Sequence, residues 1–249
     1  MSKPTIKEIF FDWDGTFAHT EPVSLTVTHR VLSDYATEKF GNPMTAQIDA
    51  LDMRGKDFGQ IGKQFQDAIN RSLPADQNIT IDIEDLRINK LRPATKKALL
   101  NADLAPHIGA TLKTLQDDLK LGVAIVSNSP RMRIQPLLDQ HKFDTRLPAN
   151  RVFSAFEDVA KLKEDPAIYL LAAKTLGITP AEAAAVEDSL TGMRAATSAG
   201  IGLRVGYTGL MNAAEATHMT QILLQAGAHV VINNMKDLPA AVKNFKPRP

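Results

Sequence analysis

Short apolar runs, each giving way to a cluster of polar residues, constrain this chain more than any other feature. They fall at residues 6–13, 122–126, 183–186, 201–205 and 228–232. Runs of this length that are apolar on both faces suit buried parallel strands better than half-exposed antiparallel ones. Helical patterns lie between them. Leu112, Leu115 and Leu119 fall at i, i+3 and i+7, just before Gly122 breaks the pattern. Tyr169, Ala172, Ala173 and Leu176 form a second stripe, closed by Gly177 as a C-cap. Strands alternating with helices predict an α/β fold, a doubly wound parallel sheet of Rossmann-like type.

One segment does not alternate. Residues 17–104 are polar, mostly helical in period, and contain no buried strand pattern. An ordinary crossover between parallel strands needs only a dozen or so residues. The expected organisation is therefore a core of residues 1–16 and 105–249 with an inserted α-helical cap at 17–104. The stretch 101–109, containing Pro106 and Gly109, would be the return hinge.

Composition narrows the function. Of 249 residues 44% are hydrophobic, enough for a packed core. Lys plus Arg (29) nearly balance Asp plus Glu (28), which argues against a nucleic-acid partner, since that affinity needs a basic face. Cysteine is absent, so disulfides, thiolate metal sites and thiol nucleophiles are excluded. No stretch reaches the roughly 20 apolar residues that span a bilayer. The opening MSKPTIKEIFFDWDGT has too short an apolar run for a signal-peptide core, and two aspartates break it. The expectation is a cytoplasmic protein with no membrane partner, monomeric by default at this size.

In open parallel sheets ligands bind outside the carboxyl ends of the strands. The first run ends in Asp12-Trp13-Asp14-Gly15-Thr16. Strand alternation sends Asp12 and Asp14 to one side and Trp13 to the other, and Gly15 permits a sharp exit. The second run ends in Ser127-Asn128-Ser129, and the third in Glu187-Asp188-Ser189. Lys163 stands three residues before Pro166, at the start of the Tyr169 helix.

Singly, each has a plainer reading: a solvated turn, a strand-end cap, a surface lysine, a helix-terminal charge. Together they pose an electrostatic problem. Two like charges 4 Å apart cost about 4 kcal/mol at an effective dielectric near 20, and a phosphate would add to that. A hard divalent cation resolves it, and an oxygen-only site of carboxylates plus substrate phosphate is what Mg²⁺ prefers. Lys163 and Ser127 would hold the remaining phosphoryl oxygens. The set reads as phosphoryl transfer through a carboxylate nucleophile.

These motifs resemble those of the haloacid dehalogenase superfamily, in the branch with a helical cap inserted after the first motif. FFDWDGTFAHTEP is similar to the opening motif and GVAIVSNSP to the second. KEDPAIYLLAAKTLGITPAEAAAVEDSLTGMRAATSAGIG resembles the third and fourth run together, and AGAHVVINNMKDL the closing strand. The resemblance implies that Asp12 is the nucleophile that forms an aspartyl-phosphate. Asp14 would protonate the leaving oxygen and then activate water. Mg²⁺ would be held by the Asp12 carboxylate, the Asp14 backbone carbonyl and the Asp188 carboxylate, with Glu187 helping through a bound water. Ser127 and Lys163 would orient the phosphoryl group, with Asn128 close by.

Two positions depart from the pattern: His19 stands where the family usually has an acid, and Glu164 where it often has proline. Asp14 separates this chain from its dehalogenase and phosphonoacetaldehyde hydrolase cousins, which lack that aspartate. The substrate expected is a small phosphorylated metabolite, a sugar phosphate or an organic-acid phosphate. Arg54-Gly55-Lys56 falls where similar proteins carry a substrate-specificity loop, and its two cations could meet a second anionic group. Two rivals share these residues. A phosphomutase resembling β-phosphoglucomutase would capture the intermediate with a bound sugar phosphate, and a phosphoryl-receiver module would not turn over at all. A receiver needs neither Asp14 nor a cap.

Overall fold

The computed structural model describes residues 5–53, 56 and 58–246. They form two compact units, one built from residues 1–19 and 103–249, the other from 20–102. In chain order the strands are β1 (Glu8–Phe11), β2 (Ala18–His19), β3 (Asp103–Leu104), β4 (Gly122–Ser127), β5 (Val152–Ser154), β6 (Ala183–Glu187), β7 (Leu203–Tyr207) and β8 (Val230–Ile232).

Six of these make one parallel sheet in the order β5-β4-β1-β6-β7-β8. Counting only its members along the chain, that order is 3-2-1-4-5-6, the doubly wound arrangement of Rossmann folds. The chain works outward from β1 through β4 to β5, then returns to the other side of β1 at β6. The topological switch point therefore lies between the carboxyl ends of β1 and β6, which carry Asp12 and Glu187-Asp188.

Burial explains why the strands read as unbroken apolar runs. Ile9, Phe10 and Phe11 are all fully enclosed, as are Ala183, Ala184, Ala185 and Val186. On one face Phe10, Ala124, Val126 and Ala185 pack with Ile168, Tyr169, Ala172 and Ala195 from the helices Ala167–Thr175 and Leu190–Ser198. The methyl-sized side chains of β6 let those helices lie close to the sheet. Trp13 is fully buried and stacks on Phe17 with ring centroids 5.3 Å apart. Gly177 follows the Ala167–Thr175 helix with φ +69°.

The structure adds what the runs did not show. β5 is a three-residue edge strand, and β2 pairs antiparallel with β3 to form a two-residue ladder. The 228–232 run is a strand only over Val230–Ile232. The leucine pattern near Gly122 is an α-helix, Ile108–Lys113, that continues as a π-turn over Thr114–Asp118.

The second unit is helical, with Glu21–Phe40, Phe58–Ser72 and Arg92–Leu99 as its main helices. Phe58, Ile61, Phe65 and Ile69 make the buried stripe of the middle helix, and they pack with Val27, Val31, Leu32 and Ile48 in a core of their own. No helix among the described residues is long and apolar enough to cross a membrane.

Candidate active site

β1 ends where its ladder does: the Asp12 amide donates to the Val186 carbonyl of β6 at 3.0 Å. A tight turn follows, with the amides of Phe17 and Ala18 both donating to the Trp13 carbonyl. Gly15 takes φ +80° in that turn, and a Cβ there would overlap Asp188 Oδ2. Glycine is required twice over, by the backbone and by the carboxylate lying against it. Thr16 Oγ1 donates to Asp188 Oδ1 at 3.2 Å, tying the first strand end to the third.

The turn and β6 together bring three carboxylates into one place. One oxygen each from Asp12, Glu187 and Asp188 lie within 4.8 Å of one another. The Lys163 ammonium reaches into this group, donating to Asp12 Oδ1 at 2.5 Å and Glu187 Oε1 at 2.7 Å. Asn128 Oδ1 accepts from the Lys163 amide at 2.6 Å, so the end of β4 holds the loop that delivers the lysine. Ser127 is buried at that strand end, and its Oγ accepts from the Ser129 amide at 3.1 Å.

One ammonium does not balance three carboxylates, two of them buried and the third half-buried. Burial pushes Asp12 up to about 7, opposed by the Lys163 charge and assisted by Glu187 and Asp14. Asp188 is held well above the usual carboxylate range by burial and by the charges of Asp12 and Glu187. Burial works against the charged form of Lys163, but Asp12 and Glu187 outweigh it and keep the ammonium above its ordinary value. A cluster of hard oxygen donors with surplus negative charge fits a hard divalent cation such as Mg²⁺.

Asp14 is placed differently. Its side chain is 35% exposed, against 11% for Asp12. Ser129 Oγ donates to Asp14 Oδ2, and Arg133 Nη2 lies 3.4 Å from Asp14 Oδ1. Chemically, one carboxylate is sunk beside a lysine and the other stands open, orientable by a hydroxyl and a guanidinium.

Ser129, Arg133 and Thr16 join the site without a chemical role expected from the sequence, and Tyr169 was expected there only as part of a packing stripe. Ser129 lay inside the SNSP motif, two residues beyond Ser127, and that spacing was the available signal. Arg133 carries none, because its direction depends on how the helix Arg131–Gln140 leaves β4. In the second unit, Lys56 Nζ pairs with Asp52 Oδ2 at 2.6 Å, while Arg54 and Gly55 lie outside the described residues. His19 pairs with Asp103 in the β2–β3 ladder. Glu164 has φ +150°, which a proline ring could not adopt.

Comparison with known proteins gives the family. A family model described as haloacid dehalogenase-like hydrolase matches residues 6–200. A phosphorylated carbohydrates phosphatase of Thermotoga maritima is 25% identical, over 91% of this chain and 94% of its own. The β-phosphoglucomutase of Bacillus subtilis is 27% identical, over 79% and 81%. Among solved structures, an HAD family hydrolase of Deinococcus radiodurans with bound phosphate and sodium superposes with a TM-score of 0.70 at 23% identity, covering 99% of this chain and all of that one.

Proposed function

This chain belongs to the haloacid dehalogenase-like hydrolases, and on that premise we propose that it is a Mg²⁺-dependent phosphatase of a small phosphorylated metabolite, working through an aspartyl-phosphate. The observation that carries the reading is the meeting of Asp12, Glu187, Asp188 and Lys163 at the switch point of the sheet. Asp12 is the nucleophile: an oxygen of its carboxylate bonds to phosphorus as the ester oxygen leaves. Asp14 gives its proton to that oxygen, then takes one from the water that cleaves the acyl phosphate. Ser129 and Arg133 aim Asp14 for both steps. Lys163 and Ser127 hold the phosphoryl oxygens, with Asn128 keeping the lysine loop in place.

The carboxylates of Asp12 and Asp188 and the backbone carbonyl of Asp14 would hold Mg²⁺, with Glu187 helping through a bound water. Bound there, the ion supplies charge neutralisation for the carboxylates and the phosphoryl group. Substrate choice falls in this reading to the inserted helical unit, with Arg54, Gly55 and Lys56 as its determinants. A carbohydrate phosphatase among the relatives supports a sugar phosphate, and an organic-acid phosphate has the same requirements.

The resemblance to a β-phosphoglucomutase keeps one alternative, since a phosphomutase uses the same core residues and differs in the acceptor of the phosphoryl group. Both are tested by measuring inorganic phosphate from a panel of phosphorylated metabolites with Mg²⁺, beside a chelator and an Asp12→Asn variant. Hydrolysis predicts metal-dependent release that the variant reduces to background. Isomerised sugar phosphate without release would replace the phosphatase by the mutase. Neither product from any member would remove the assignment of turnover.

A further inference from the structure

We propose that the Tyr169 hydroxyl is a positioning group for Glu187, acting with Gly192 to fix that carboxylate for the metal; the inference rests on the Mg²⁺ reading above. Tyr169 is fully buried in the helix Ala167–Thr175, on the stripe that packs against the sheet. Its ring stacks against Phe10 with centroids 6.3 Å apart, a task phenylalanine would perform equally well. The hydroxyl is what packing does not explain, because burying one costs free energy unless it is hydrogen-bonded.

That hydroxyl donates to Glu187 Oε1, the same oxygen that accepts from Lys163 Nζ at 2.7 Å. A phenol keeps its proton at neutral pH and a carboxylate offers only acceptors, so the hydroxyl is the donor of this pair. Lys163 Nζ also lies 5.4 Å from the Tyr169 ring centroid, within cation–π range. Two donors thus converge on Oε1, while Oε2 has no hydrogen-bond partner among the described residues.

Oε2 is held by shape instead. It lies against Gly192 in the helix Leu190–Ser198, where a Cβ would overlap it. Lys163 donates to Glu187 and to Asp12 from one ammonium, so its hydrogen bonds are shared between the two carboxylates. Tyr169 supplies the unshared donor, and Gly192 the room. Without the hydroxyl, Lys163 becomes the sole hydrogen-bond partner of Oε1.

The test is Mn²⁺ binding to the full chain, read as free ion by electron paramagnetic resonance, for wild type, Tyr169→Phe and Gly192→Ala. Urea unfolding of the metal-free proteins runs beside it. Removing an outer partner of a metal ligand weakens affinity by roughly 10–100-fold. That loss is expected in Y169F with little movement of its metal-free urea midpoint, a split that a merely packing role would not produce. G192A should lose affinity too, although alanine is the better helix former by about 1 kcal/mol. Y169F binding Mn²⁺ as tightly as a binding wild type overturns the positioning role alone. If Y169F does not fold, G192A decides by the same criterion. Absence of binding by the wild type overturns the metal reading, and this inference with it.

Discussion

At the residue scale the site is a charge imbalance that the fold maintains. Lys163 offers one positive charge to a group of three carboxylates, and the remainder is stored as raised proton affinity. Burial first, then the neighbouring carboxylates, lift Asp12 from 3.8 to about 7 against the pull of Lys163. The sign of the pH effect follows. A group whose folded value is raised binds its proton more tightly in the folded chain than in the unfolded one. Its contribution to stability is complete below about pH 4 and is lost as pH rises through about 7. Asp188 shifts in the same direction. Metal-free protein should therefore melt at a lower temperature at pH 8 than at pH 5.5, and added Mg²⁺ should raise the pH 8 melting point more than the pH 5.5 one. Calorimetry in a chelator and then in Mg²⁺ checks both. A chelated melting point that climbs between those pH values would show that the carboxylates are already compensated.

At the scale of elements, the strand ends and the helices behind them do the placing. Three of the five residues of β6 are alanine, and that smallness lets the helices Ala167–Thr175 and Leu190–Ser198 bring Tyr169 and Gly192 onto Glu187. Enlarging one of those alanines should separate the layers. Ala185→Leu, at a fully buried position, is expected to destabilise by about 1–3 kcal/mol through overpacking, with metal affinity falling as well. Urea unfolding and a metal titration of the same preparation would show it, and an affinity unchanged despite the lost stability would separate β6 packing from the site. This layer was only partly readable in the sequence. Unbroken apolar runs mark strands buried on both faces, which is why β1, β4, β6 and β7 and the polar residues at their ends could be read directly. β5 escaped because three residues at a sheet edge carry no period. Tyr169 was read as part of an apolar stripe, as its burial warrants. The destination of its hydroxyl depends on the distance between a helix and a strand end, and no spacing along the chain encodes that.

At the scale of the whole molecule, the insertion is a matter of two residues. β2 and β3 lie at the two ends of the inserted segment and pair antiparallel, with His19 opposite Asp103. The helical unit of residues 20–102 thus leaves and rejoins the sheet unit at a single rung of a ladder. Each unit also has its own buried cluster, Phe10, Val126 and Ala185 in one and Leu32, Phe65 and Ile69 in the other. Such an arrangement makes the insertion separable in principle. Replacing residues 20–102 by Asn-Gly would turn β2 and β3 into a hairpin with a two-residue loop, the connection that the twist of paired strands favours. The shortened chain is expected to fold cooperatively and to bind Mn²⁺, because Asp12, Lys163, Glu187 and Asp188 all lie outside the excised segment. It should also hydrolyse an activated aryl phosphate, slowly, while losing its preference among natural phosphate esters, if selection falls to the missing unit as proposed above. Circular dichroism, metal titration and the substrate panel test the three expectations in turn. A shortened protein that folds and binds metal yet keeps the full preference would move substrate selection from the insert to the sheet unit, with Arg133 and Ser129 beside Asp14 as the residues to change next.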